Sequence, residues 1–131
     1  MFNQFMKKII YFLVIFLFSC NNINNSYKEA EFSDFYNSNS NKLLIDVRTP
    51  EEFMENRALE SINIDFYDEN FNNDILEISK EDDIYIYCRS GRRSELTAKF
   101  LLENDFENVY NINSGIIKID SIYLDFRSFN N

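Results

Sequence analysis

Residues 84–94 read Ile84-Tyr85-Ile86-Tyr87-Cys88-Arg89-Ser90-Gly91-Arg92-Arg93-Ser94. Ile84 to Tyr87 is an apolar, β-prone run that stops at Cys88. Small and cationic residues follow. From Ser94 the pattern turns helical, with Leu96, Phe100 and Leu101 at helix spacing. The spacing therefore predicts a buried strand ending at Cys88, a loop Arg89–Arg93, and a helix Ser94–Glu103 with those three side chains inward. In open α/β sheets the crevice at the carboxyl ends of strands is where ligands bind. Backbone N–H groups of such a loop hold anions.

The charges give the loop a chemistry. Arg89, Arg92 and Arg93 crowd a helix start, where the macrodipole already favours negative charge. A thiolate together with an anionic substrate would balance them. The same field is expected to lower the Cys88 thiol pKa and make it nucleophilic. The bland alternative is a buried cysteine followed by a solvated basic loop. Three arginines and a glycine around a cysteine at a strand-to-helix switch favour an active site instead.

Working outward, the segments alternate. Tyr27–Ala30 and Leu43–Val47 read as strands, with a short helix over Ser33–Asn37 between them. Thr49 is a helix N-cap, with Pro50 at the first helical position and Glu52 placed to close a capping box. Phe53 and Met54 are the expected buried side of that helix. Ser61–Ile64 is a short strand, Asp65–Asn73 a polar loop, and Ile75, Leu76 and Ile78 belong to a short helix. Lys80–Asp83 is a turn. After the cysteine helix, Val109–Ile112 is the last strand and Ser114–Gly115 a turn. Ile116–Phe126 reads mostly as a terminal helix, with an Ile-rich start that also suits extended chain. Strands alternating with helices imply an α/β fold with a mainly parallel sheet covered on both faces.

Composition bounds the rest. The chain has 131 residues, enough for one core. Its net charge of −9 argues against nucleic-acid binding, which needs a basic face. Histidine is absent and there are two cysteines, Cys20 and Cys88, so no metal site is expected. Residues 1–19 read as a lipoprotein signal peptide: Lys7 and Lys8, then ten apolar residues from Ile9 to Phe18. Leu17-Phe18-Ser19-Cys20 resembles a lipobox, with Cys20 as the lipidated residue. Residues 20–26 form a polar tether and 27–131 the folded domain. The expected location is the bacterial cell envelope, lipid-anchored to a membrane on its periplasmic face.

Asp46-Val47-Arg48-Thr49-Pro50-Glu51-Glu52-Phe53, Ile62-Asn63-Ile64, Tyr87-Cys88-Arg89-Ser90-Gly91-Arg92-Arg93-Ser94, Asn108-Val109-Tyr110 and Ser114-Gly115-Ile116 together resemble the single-domain rhodanese family. The resemblance runs from Tyr27 to Ile119. It implies a rhodanese-like fold, with a five-stranded, mainly parallel sheet flanked by helices on both faces. It also implies sulfur transfer without a cofactor. The Cys88 thiolate would take the outer sulfur of a small anionic donor such as thiosulfate. The persulfide would then pass that sulfur to cyanide or a thiol acceptor. Arg89, Ser90, Gly91, Arg92 and Arg93 would cradle the persulfide through N–H groups, as an oxyanion hole does. Their arginine side chains would attract the donor. Asp46 and Arg48 read as a structural ion pair or turn at a strand end, in supporting roles, with Arg48 near the pocket mouth. A monomer is expected.

Two segments depart from the family pattern. Asn56-Arg57-Ala58-Leu59-Glu60-Ser61 stands where Gly-His-Ile-Pro-Gly-Ala is usual. Ser114 replaces the first residue of Gly-Gly-Ile, and Ile119 an expected tryptophan. Two rival readings follow from the loop itself. Cysteine phosphatases and arsenate reductases place an arginine six positions after the nucleophile; here that position is Ser94 and the arginine is at five. A non-catalytic binding module typically lacks the cysteine, which is present.

Overall fold

The computed structural model describes residues 3–4 and 26–125. Apart from residues 3–4, the signal peptide, Cys20 and residues 21–25 of the tether lie outside the described residues. Among the described residues there are seven strands: β1 (Lys28–Glu29), β2 (Lys42–Asp46), β3 (Arg57–Ala58), β4 (Ile62–Asn63), β5 (Asp83–Tyr87), β6 (Val109–Asn111) and β7 (Leu124–Asp125). Four α-helices separate them: α1 (Phe32–Asn37), α2 (Pro50–Glu55), α3 (Phe71–Leu76) and α4 (Arg92–Glu103).

Five strands form one parallel sheet in the order β1-β6-β5-β2-β4. Strand β5 is central because both of its faces are apolar. Side chains alternate across a strand. Ile84 and Ile86, with Cys88 just beyond, enter one core with Ile45, Val47, Phe71, Ile75, Ala98 and Leu101. Tyr85 and Tyr87 enter the other with Phe32, Phe35, Leu44, Ala58 and Ile112. The tyrosine face packs edge to ring: Phe32 on Tyr87 at 5.1 Å and Phe35 on Tyr85 at 5.4 Å between centroids. Parallel strands buried on both faces are the arrangement that such apolar runs require. Each buried Ile contributes about 1.5–3 kcal/mol.

From β2 the chain goes on to β4 on one side of the sheet, and from β5 to β6 on the other. That reversal opens a crevice between the carboxyl ends of β2 and β5. Asp46 and Cys88 sit at those two ends.

Three expectations need correction. Helix α3 begins at Phe71, inside the segment read as loop, because Phe71 and Ile75, one turn apart, are both buried. Helix α2 has no buried residue, and Met54 is exposed. Its ends rather than an apolar stripe hold it: Thr49 accepts from the Glu52 N–H while the Glu52 carboxylate accepts from the Thr49 N–H. The segment after Gly115 is not an α-helix. It makes two 3-10 turns, Ile116–Lys118 and Ser121–Tyr123, and then β7, antiparallel to β3. Phe126 lies outside the described residues.

Candidate active site

The loop after β5 is shorter than its sequence suggested. Helix α4 starts at Arg92, so only Cys88, Arg89, Ser90 and Gly91 connect strand to helix. Gly91 is the N-cap residue, with φ 100°, a backbone that L side chains rarely adopt. A Cβ there would also sit 2.7 Å from the Asn113 side-chain oxygen. Gly115 (φ 64°) lets the neighbouring turn press on the Arg89 carbonyl. The Ile116 N–H then donates to the Cys88 carbonyl at 3.0 Å, and the Ile117 N–H to the Arg89 carbonyl at 3.3 Å. Both glycines thus fasten the loop to the 113–117 turn.

The tight turn aims N–H groups at sulfur. The Gly91 N–H donates to Cys88 Sγ at 3.1 Å. The Ser94 hydroxyl lies 3.5 Å from Sγ and 3.0 Å from the Gly91 carbonyl. It has one hydrogen, so it serves the carbonyl when the thiol is neutral and turns to the sulfur when the thiolate forms. Burial pushes the Cys88 thiol up, but hydrogen bonds from the Ser94 hydroxyl and from the Ser94, Ser90 and Gly91 N–H groups outweigh it, and the pKa is lowered. These N–H groups are ones a helix start leaves unpaired. These hydrogen bonds, rather than the expected field of three arginines, are the largest causes that lower the pKa.

The arginines have separate fates. Arg93 is clamped by Glu52 in a two-pronged pair, Nη1 to Oε2 at 2.8 Å and Nη2 to Oε1 at 3.0 Å. Its guanidinium also lies 5.5 Å from the Tyr67 ring centroid. The Glu52 carboxyl is held down to about 2, chiefly by its hydrogen bond with Arg93. So Glu52, not substrate, neutralises Arg93. Arg92 and Arg89 are exposed, and Arg89 makes no side-chain hydrogen bond among the described residues. Asp46 and Arg48 form the buried ion pair that the strand end suggested, Arg48 Nη2 to Asp46 Oδ2 at 2.6 Å. Arg48 also donates to the Asn56 carbonyl at 2.6 Å.

A cleft of about 380 Å³ opens beside the loop, lined by Arg48, Glu52, Glu55, Asn56, Arg89, Ile116, Ile117 and Leu124. Arg48, buried by its pair with Asp46, is one of these lining residues. Cys88, 1% exposed, is not among the residues that line the cleft. Ser94 and Glu52 were missed as site residues. Their signals were local: Ser94 is one helical turn from the N-cap, and Glu52 follows the cap of α2.

The replaced connection 56–61 hangs from the core by Tyr87. Its hydroxyl accepts from the Ala58 N–H at 3.0 Å and bonds the Ser61 hydroxyl at 3.0 Å. Glu60, standing where the family has glycine, holds φ 65°. Arg57 bonds Asp125 at 2.7 Å and covers the Phe53 ring.

The family model described as Rhodanese-like domain matches residues 29–121. The chain is 33% identical over 135 residues to the tRNA uridine(34) hydroxylase of Buchnera aphidicola subsp. Baizongia pistaciae, covering 95% of this chain and 43% of that protein. It is 33% identical over 75 residues to a sulfurtransferase of Allochromatium vinosum, covering 57% of this chain and 68% of that protein. It thus spans less than half of the hydroxylase relative. A rhodanese-like domain protein from Staphylococcus aureus shares the fold, with TM-score 0.64 at 20% identity over 77% of this chain and 99% of that one. The parallel sheet, the cysteine at the end of its central strand and the family match agree: this chain belongs to the rhodanese-like domain family.

Proposed function

We propose that the domain is a sulfurtransferase that carries a sulfane sulfur on Cys88. The observation that carries this reading is the cradle at Sγ: a Gly91 N–H at 3.1 Å and a Ser94 hydroxyl at 3.5 Å, at a helix start. The thiolate attacks the outer sulfur of thiosulfate. A sulfur–sulfur bond forms to Cys88, the bond to the sulfonate sulfur breaks, and sulfite leaves with the electron pair. The N–H groups that lower the thiol pKa stabilise the same negative charge on the persulfide. A thiolate or cyanide acceptor then attacks the outer sulfur, and the electron pair returns to Cys88. The nucleophile is activated by hydrogen bonds, with no histidine base.

The hydroxylase relative's name points to tRNA, but a net charge of −9 does not suit a phosphate backbone. A phosphatase reading is disfavoured because the residue six after Cys88 is Ser94 and Arg93 is already paired with Glu52. The test is mass spectrometry after thiosulfate treatment. One added sulfur on Cys88, absent in Cys88→Ser, is the expected result. An unmodified native protein would favour a binding module, and turnover of an aryl phosphate without sulfur transfer would favour the phosphatase.

The N-terminal sequence supports a lipid anchor on Cys20 that holds the domain at a membrane of the cell envelope. Among the described residues no helix is long and apolar enough to cross a membrane. Labelled fatty acid should enter the protein and be lost in Cys20→Ser. A soluble, unlipidated mature protein would overturn the anchor.

A further inference from the structure

Helix α4 carries two apolar stripes, and the fold uses one of them. Thr97, Ala98 and Leu101 are buried. Leu96 and Phe100, one turn apart, lie on a second stripe; Leu96 is 43% exposed and Phe100 half-buried. Phe71 of α3 and Phe66 of the segment before it complete a groove of about 420 Å³ with these two side chains, and Asp68 and Glu69 line it as well. The aromatic surface is continuous. The Phe66 ring is 5.3 Å from that of Phe71 and 5.4 Å from that of Tyr67, which is 69% exposed. Core packing accounts for Phe71 but not for Leu96 or Tyr67. Exposed apolar surface rimmed by polar residues marks an interaction site. The rim here has one sign. Asp68 and Glu69 are exposed, and neither is in an ion pair among the described residues. Among those residues no lysine or arginine lines the groove. Of the cations on α4, Lys99 is paired with Glu95, Arg93 with Glu52, and Arg92 is not a lining residue.

We propose that this groove docks a basic amphipathic helix of another protein. The helix lays its apolar face between Phe66, Phe71, Leu96 and Phe100, and its flanking lysines or arginines meet Asp68 and Glu69. An aromatic centre inside a polar rim is the usual anatomy of such an interface. Charge selects the occupant. A second copy of this chain brings a net charge of −9 to a groove that is itself acidic. An anionic membrane surface would be repelled by the same two carboxylates. A cationic segment is attracted by both the rim and the whole molecule. No side chain placed at the cysteine loop takes part, so the surface stands or falls separately from sulfur transfer.

The probe is a fluorescent synthetic helix with leucine and phenylalanine along one face and lysines beside them, titrated with the full chain and followed by anisotropy. Two controls replace its lysines by glutamates or its apolar face by serines. The basic amphipathic helix should bind, and each control should bind at least about tenfold more weakly. Leu96→Ser should weaken binding about tenfold; Leu96 is exposed, so the variant should fold. Asp68→Asn with Glu69→Gln should weaken it about threefold to fivefold and flatten its dependence on salt. Asn at 68 keeps an acceptor for the Asn70 N–H, so this variant should fold as well. An absence of binding, or binding that Leu96→Ser leaves unchanged, would overturn the proposal. So would a dimer in sedimentation that Leu96→Ser abolishes, which would give the face to a second copy. Binding to anionic vesicles that Leu96→Ser abolishes would give it to a membrane and overturn the proposal too.

Discussion

The cysteine loop and the 56–61 connection flank the same crevice but are held by different means. The loop is made by its own residues: Gly91 turns the chain, the helix start supplies N–H groups, and Ser94 returns to the sulfur from one helical turn on. The connection lacks the glycines and histidine usual in the family. It is held from far away, by the Tyr87 hydroxyl below it and by β7 alongside. The loop must hold a charge that forms and leaves, so its geometry is strict. The connection only has to cross the sheet end, so packing from elsewhere can substitute for local turn residues.

Breaking the loop should cost most. Gly91→Ala combines a φ of 100° with a clash on Asn113. Persulfide formation should fall roughly a hundredfold, as when an oxyanion donor is lost. Single-turnover kinetics check this, and a loss under threefold would mean that the turn is not strict. Ser94→Ala should raise the thiol pKa, because a donor to the thiolate is removed. The alkylation rate against pH should move to higher pH and drop about tenfold at neutrality. An unmoved profile would assign the lowered pKa to the backbone alone.

The connection should tolerate more. Arg57→Ala removes the Asp125 pair and the cover on Phe53, at about 1 kcal/mol by urea denaturation. Persulfide formation by the folded fraction should hold; if it collapses, the two regions are not separable. Glu52→Gln keeps a capping side chain but deletes the charge that pairs Arg93. Glu52 has its folded pKa depressed from 4.5 to about 2, so the charge stabilises the fold above about pH 4.5 and that benefit fades as pH falls toward 2. Native protein should exceed the variant by about 1 kcal/mol at neutrality and converge with it in acid. A gap that persists at pH 2 would exclude the ion pair as its source. Glu60→Gly should give the smallest change, a gain of about 0.5 kcal/mol, because relief of the left-handed backbone is partly offset by a freer unfolded chain. A loss on thermal denaturation would show that the Glu60 side chain contributes something beyond its backbone.

Much of this was legible in the residues. The buried strand before Cys88, the switch that follows it and the capping box at Thr49 all follow from short-range pattern and all are present. Leu96 shows where pattern failed. It fits the helix period, yet it is exposed, and α4 instead buries Ser94, Thr97, Ala98 and Leu101. Small residues let the helix start approach the sulfur, and hydrophobicity alone does not reveal that. The terminal segment failed for a different reason. Ile116–Tyr123 follows Gly115, whose close fit on Arg89 directs the chain back over the sheet end to meet Arg57.

Local chemistry was enough to define a nucleophile at a strand end, because strand period, glycine and helix start act within a few residues. The partner of each charge was not local. Arg93 and Glu52 are 41 residues apart, and only the folded chain brings them together. Pairing thus removed one arginine from the set expected to face substrate. A charge's role depends on what lies within a few ångströms of it, and tertiary packing sets that distance.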